Sequence, residues 1–479
     1  MTSENSTPYI DSTDHDPAVD NRTGSETQQS PVITLLRNRD FSKIFIGSLT
    51  SEVGSSFTFI AVIFLAIHIT RDLTASQTAQ AVALVTLSQL IPTFLLGPFA
   101  GVLVDRYDRK KIMLLGNIIG AVSSFGLIFA TQMIQIYGLA MVGACSRLLF
   151  YPARGASLPM ITTPDKLVSA NGIIQTLSQL SMLIGPALAG TLIGIFGLEF
   201  AFLADAISFL VAGILVSLIR TDLHPTTDGS KLSVRQTLGD LKQGFFVVRN
   251  DRVIFFLIIT FVLAIMAISM INPLFAIYIA SEFGLAEQDF GLIVSFSALS
   301  GFIAAIILTS RGQIKHKLTF ILLGGLLTAG IGIGILGLAP LFPSKVIWLY
   351  VGMAVIGIVN VALNIPLSAL LQTLVKNDDL GKVNGINSTV LSFAQVSGAA
   401  FASYIVIYLR ISTLFIYLAT FIASIALISY VFMRVKGIES EAIKREEEII
   451  RQSKAQKQVA KPDDRLYPVA EAAVISPIE

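Results

Sequence analysis

Three ionisable residues, Glu52, Arg147 and Asp205, stand inside long apolar runs of this 479-residue chain. A charge in such a run is costly, so it is kept for a reason: it pairs with another group, or it binds and releases a proton or a charged ligand. At ~1.5 Å per residue, Glu52 lies about 16 Å along the first run, close to the centre of a bilayer. Arg147 sits near the middle of the fourth run and Asp205 in the sixth. Each also has a plain structural alternative, an ion pair or hydrogen bond that holds two helices in register. Three amides, Asn272, Asn360 and Asn364, fall in the seventh and tenth runs and suit either a cavity wall or interhelical hydrogen bonds. No carboxylate stands in the core of the later runs. The four histidines, His15, His68, His224 and His316, lack metal-ligand spacing, and Cys145 is the single cysteine. No metal site, cofactor or disulfide is therefore expected. There is no Gly-x-x-x-x-Gly-Lys-Ser/Thr phosphate loop, so ATP hydrolysis is not the expected energy source and the chain does not read as an enzyme.

The elements that must hold these residues are membrane helices. The chain is 53% hydrophobic and 14% charged, against about 25% charged for soluble domains. Twelve apolar runs approach the ~20 residues a spanning helix needs: 41–69, 79–104, 112–131, 134–158, 168–196, 200–219, 253–280, 290–309, 318–338, 346–371, 383–409 and 411–433. Cations gather on alternate loops. Arg37, Arg39 and Lys43 come first, then Arg106 to Lys111, then Arg154 and Lys166, then Arg220 through Arg252, then Arg311, Lys315 and Lys317, and last Lys376 and Lys382. The other loops hold Arg71, Lys345 and Arg410 beside Glu199, Glu282, Glu287 and Asp289. This asymmetry predicts that both termini are cytoplasmic. Because the cations are scattered among short loops, they give no nucleic-acid surface. The reading is an all-α integral membrane protein. It has a disordered tail over 1–36, a six-helix bundle over 37–220, a linker with an interfacial helix over 221–250, a second six-helix bundle over 251–436 and a charged tail over 437–479. The start of the first tail, Met1–Ser30, is rich in Ser, Thr, Asp and Asn and cannot bury a core. Within the last, 438–459 predicts a solvated helix. The two bundles repeat weakly: Asn171-Gly172-Ile173 returns as Asn384-Gly385-Ile386, and Gly185 returns as Gly398 at the same offset.

Between the second and third runs stands Gly101-x-x-x-Asp105-Arg106-x-x-Arg109-Lys110-Lys111. This spacing resembles the loop motif of the major facilitator superfamily, with Asp108 where that family often has glycine. In this reading Gly101 lets its helix approach a neighbour and Asp105 meets the positive N-terminus of another helix. In the fifth run, Gly185-Pro186-Ala187-Leu188-Ala189-Gly190 resembles the exporter motif Gly-Pro-x-x-Gly-Gly, with Ala189 replacing one glycine. The stretch around Asp205, Phe202-Leu-Ala-Asp-Ala-Ile-Ser-Phe-Leu, resembles a segment of the macrolide and siderophore exporter branch.

The resemblance implies two pseudo-symmetric six-helix bundles with a substrate cavity between them near the midplane. It places helices one and four on that cavity, so Glu52 and Arg147 are expected to face each other, as the acid and arginine do in drug/proton antiporters. Asp205, on a helix that supports the cavity from behind, is expected to make a structural hydrogen bond. The implied function is proton-coupled export of an amphiphilic small molecule by alternating access, carried out by a monomer in the bacterial cytoplasmic membrane. The implied partners are substrate, protons and lipid. A proton-coupled importer or lipid transporter of the same fold is the first alternative, and a non-transporting sensor or scaffold the second.

Overall fold

The computed structural model describes residues 31–224, 234–310, 316–375 and 377–459. The sequence readings at Met1–Ser30, Pro225, Asp228-Gly229, Arg311, Lys315, Lys376 and 460–479 lie outside the described residues. Twelve long helices follow one another: α1 Arg39–Ile69, α2 Ala75–Arg106, α3 Arg109–Leu127, α4 Met133–Ile161, α5 Leu167–Phe196 and α6 Leu198–Ser217 form the first half. The second half is α7 (Arg252–Ser269 and Ile271–Phe283), α8 Glu287–Ser310, α9 (Lys317–Thr319, Phe320–Leu327 and Thr328–Leu338), α10 Lys345–Leu374, α11 Asn377–Ile405 and α12 Ile411–Lys436. A final helix, α13, spans Ile438–Val459. A short leading helix, Pro31–Arg37, precedes α1, and a linker helix, Val234–Asn250, joins the halves. The leading helix occupies the end of the predicted tail 1–36.

Among the described residues, ten helices are long and apolar enough to cross a membrane. The two that miss are α3, whose first turn holds Arg109-Lys110-Lys111, and α11, whose first two turns hold Asp378, Asp379 and Lys382. Local chemistry sets the starts. The Asn38 side chain accepts from the backbone N–H groups of Asp40 and Phe41 at the head of α1. Thr74 and Gln77 form a capping box on α2, and Asp251 accepts from Val253 and Ile254 at α7; each satisfies donors that the helix leaves unpaired. α7 was expected as one uninterrupted run but breaks at Met270. Pro273 has no N–H for the Ser269 carbonyl four residues back, and its ring crowds that oxygen. The middle of α9 winds as wide π turns over Phe320–Leu327.

Within the first half, α1 packs on α5 and α6, α2 on α4, and α3 on α4 and α6; within the second, α8 packs on α10, α9 on α10 and α12, and α7 on α11. Gly54 makes the α1–α6 approach possible, since a Cβ there would lie 2.1 Å from Ser208 Oγ. The halves meet through two related pairs, α5 with α8 and α2 with α11. Several of these contacts lie toward the end away from the Arg/Lys-rich loops. Gly190 and Gly291 cross there so closely that a Cβ on Gly291 would stand 2.3 Å from the Pro186 carbonyl oxygen. Ser76 Oγ donates to Val406 O at 2.8 Å, and the Phe64 and Phe290 rings meet edge to face at 5.8 Å.

The tail reading changes at α13. It is helical, as expected, but it is docked rather than solvated. Glu439 accepts from the backbone N–H and the hydroxyl of Thr319, both at 3.0 Å, and its side chain is 7% exposed. Arg445 pairs with Asp251 at 2.5 Å, and Lys317 pairs with Glu446. These bonds fasten α13 to the basic ends of α7 and α9.

Candidate functional site

Glu52 is buried on α1 and forms an ion pair with Arg154 on α4, with Arg154 Nη1 2.7 Å from Glu52 Oε1. The two side chains are 8% and 11% exposed. Ser178 on α5 donates to the same carboxylate oxygen at 3.1 Å. Arg154 also stacks its guanidinium 4.9 Å from the Tyr151 ring centre and 5.9 Å from that of Phe150, a favourable contact between a cation and an aromatic face. Three helices thus converge on one acid.

This corrects the expected pair. Arg147 does not reach Glu52; it donates to Gln89 Oε1 on α2 at 3.3 Å. The reason is axial. Arg147, Tyr151 and Arg154 follow one another at helical spacings of four and three along one face of α4, so the two arginines differ in depth by about 10 Å. Arg154, counted among the loop cations, is inside the helix and is the functional candidate that sequence reasoning missed. The signal was that same spacing from Arg147.

Asp205 is 1% exposed on α6. It accepts from Ser124 Oγ of α3 at 2.6 Å and from Ser208 Oγ at 3.3 Å. Together with Arg147, Gln89, Thr58, Ser123 and Ser124 it lines a small, partly open chamber of about 30 Å³, room enough for water. Asp205 therefore lies buried inside the first bundle, in a chamber with Arg147 and apart from the Glu52–Arg154 pair.

The amides lie apart from these charges. Asn360 and Asn364 are exposed one turn apart on α10, where Asn364 Nδ2 donates to the Asn360 carbonyl at 2.8 Å and to its side-chain oxygen at 3.0 Å. Asn272 is exposed just past the α7 break. On α5, toward the basic end, Asn171 and Gly172 are exposed and Val168 is 83% exposed.

The loop motif divides. Arg109 donates to the Ala156 carbonyl at 3.0 Å and to the Met160 sulfur, and Lys110 donates to the Ile219 carbonyl at 2.8 Å. They staple the start of α3 to the ends of α4 and α6. Arg106 and Lys111 are exposed. Two expectations are corrected here. A Cβ on Gly101 would meet nothing within 4 Å, and Asp105 is exposed and makes no hydrogen bond or ion pair among the described residues. The close crossings defined above lie at the far end of the helices, so these positions have no tight neighbour in this conformation. The helix-five motif does what small residues do: a Cβ on Gly185 would lie 2.3 Å from Ser56 Oγ on α1, and Gly190 crosses α8.

The sequence model of the Major Facilitator Superfamily matches residues 44–330 and 257–471. The chain belongs to the major facilitator superfamily. It is thus a multi-pass membrane protein with two six-helix bundles, in a family of transporters. Macrolide efflux protein A of Streptococcus pyogenes is 24% identical over 83% of this chain and 97% of its own length. Multidrug resistance protein 2 of Bacillus subtilis is 27% identical over 68% of this chain and 79% of its own. A solved structure of a mutant of the nucleoside transporter NupG overlays with a TM-score of 0.66 at 14% identity, covering 82% of this chain and 99% of that one. At that identity the overlay speaks for the superfamily fold alone.

Proposed function

We propose that this protein exports an amphiphilic small molecule, of macrolide or similar multidrug type, in exchange for protons by alternating access. The observation that carries the reading is the buried Glu52–Arg154 pair, held by Ser178 where α1, α4 and α5 meet. A carboxylate joined to a guanidinium at 2.7 Å has two stable arrangements: paired and charged, or protonated and released. A proton on Glu52 frees Arg154, and loss of that proton restores the pair. If the two bundle conformations open Glu52 to opposite sides, each cycle carries one proton inward. A charge crossing 100 mV releases about 2.3 kcal/mol, enough for roughly a fortyfold gradient of a neutral solute.

The close crossings at Gly190–Gly291 and Ser76–Val406, with Asn171 exposed toward the basic end and Asn360 and Asn364 exposed at and just past the middle of α10, support a state closed at one end and open at the other. By the positive-inside rule the basic end is cytoplasmic, so this is the inward-open state. The exposed amides and apolar side chains of the second half suit an amphiphile. The export direction draws on the relatives whose names state efflux and multidrug resistance.

The test is accumulation of a labelled macrolide in cells that express the chain. Expression is expected to lower internal macrolide, an uncoupler to raise it again, and Glu52→Gln to abolish the difference while the protein still folds. An uncoupler that lowers internal macrolide would refute export. Undiminished uphill pumping by Glu52→Gln would refute the proton role of Glu52.

A further inference from the structure

At the basic end, an open pocket of about 340 Å³ lies between the leading helix, the head of α1 and the turn from α4 to α5. Two cations line it, Arg37 and Lys166; neither side chain makes an ion pair or hydrogen bond among the described residues, though Lys166 also lies within the electrostatic reach of the exposed Asp165 carboxylate. The other polar groups in the wall are already engaged. Asn38 caps α1 and donates to the Ile161 carbonyl at 2.9 Å, and the Thr162 hydroxyl donates to the Leu158 carbonyl at 2.8 Å. The Thr163 hydroxyl bonds to Asp165, which does not line the pocket. The uncommitted donors are therefore both cationic, and the ligand they suit is an anion with several acceptor oxygens, a phosphate ester. Beside the pocket runs an apolar flank: Ile33 and Leu36 of the leading helix are 60% and 39% exposed, and Val168 heads α5; Arg39 and Asp165 are exposed nearby. A cationic pocket with an apolar flank, at the level where helices leave a bilayer, fits a phosphate that carries acyl chains.

We propose that Arg37 and Lys166 form a binding site for the headgroup phosphate of an anionic phospholipid. The apolar side chains of the leading helix lie against the acyl region. The bound lipid braces the head of α1 against the end of α4, the two helices that carry Glu52 and Arg154. The inference requires only that the chain sits in a membrane, so it stands or falls separately from the transport reading.

The test uses the purified full chain in mixed micelles. Binding of phosphatidylglycerol is followed by native mass spectrometry and by thermal shift, with phosphatidylcholine, inorganic phosphate and glycerol phosphate as parallel arms. Phosphatidylglycerol is expected to remain bound and to raise the melting temperature, and the other three are not. The double variant Arg37→Gln/Lys166→Gln, on one exposed and one half-buried side chain, is expected to weaken phosphatidylglycerol binding on the order of thirtyfold, from about 1 kcal/mol per cation. Its melting temperature in phosphatidylcholine micelles should not change. Lys242→Gln/Arg249→Gln, which alters basic residues elsewhere at this end, should bind like the parent. The site is overturned if the first pair binds phosphatidylglycerol as the parent does, or if both pairs lose it equally. An equal response to free phosphate would overturn the lipid assignment.

Discussion

Removing Arg154 alone should cost far more than removing Arg147. Arg154→Ala leaves the Glu52 carboxylate buried at 8% exposure with Ser178 as its remaining partner. Stripping one member from a buried pair typically destabilises by about 3–5 kcal/mol, because the other charge stays uncompensated. Loss of the stacking on Tyr151 adds about 1 kcal/mol. Arg147→Ala loses one 3.3 Å bond to a neutral amide, worth about 1 kcal/mol, and a longer-range attraction to Asp205 across the chamber they share. The decisive measurement is a double-mutant cycle. Glu52→Gln/Arg154→Met removes both charges and keeps much of the volume, so it should recover most of the stability that Arg154→Met loses, with a coupling of about 2–3 kcal/mol. Glu52→Gln combined with Arg147→Met should be additive within about 0.5 kcal/mol. Stability would be read by reversible unfolding in detergent, with one reference variant carried through every series. Strong coupling of Glu52 to Arg147 and none to Arg154 would show that the pairing described here is wrong.

Three further outcomes are expected. Asp205→Ala leaves the Ser124 hydroxyl without its 2.6 Å acceptor in a buried place and should lower stability by about 1–3 kcal/mol; an unchanged unfolding midpoint would contradict that. Gly291→Leu puts a side chain where a Cβ already stands 2.3 Å from the Pro186 oxygen. It should pry α5 from α8, and cysteines placed near this crossing should label several-fold faster; equal labelling would count against a tight closure there. Glu439→Gln weakens the bonds that hold α13 to Thr319 and should raise amide exchange along α13 by about tenfold, roughly 1.4 kcal/mol of local stability; unaltered exchange would mean that α13 is held by its other pairs.

The fold was legible because lipid-facing helices must be apolar along their length, and twelve such runs stand out in this chain. α3 and α11 carry a weaker signal because charges crowd their first turns and polar residues interrupt their apolar runs, and the loop charges beside them did the work. Glu52 was legible because a lone acid in an apolar run has few explanations. Its partner was not, because Arg154 stands near the basic end and reads as one more loop cation. Which arginine meets the acid depends on how far α4 is shifted along α1, and no local pattern encodes that shift. The break in α7 was visible in Pro273, but the run length hid it. The docking of α13 depends on Glu439, a charged residue that only the folded second half buries, so its composition suggested solvent. Gly101 and Asp105 show a different limit: the motif spacing was legible, but the neighbours it implies are not found around these residues among those described.

Because α13 is bonded to α7 and α9 and not to the first half among the ion pairs described, it is fixed to the second bundle, and any motion of that bundle would carry it along. A fluorophore or spin label on its exposed face would therefore act as a pointer fixed to that body. Paired with a second label on α3, it would turn the tilt of one bundle against the other into a single changing distance, recorded without touching the cavity itself.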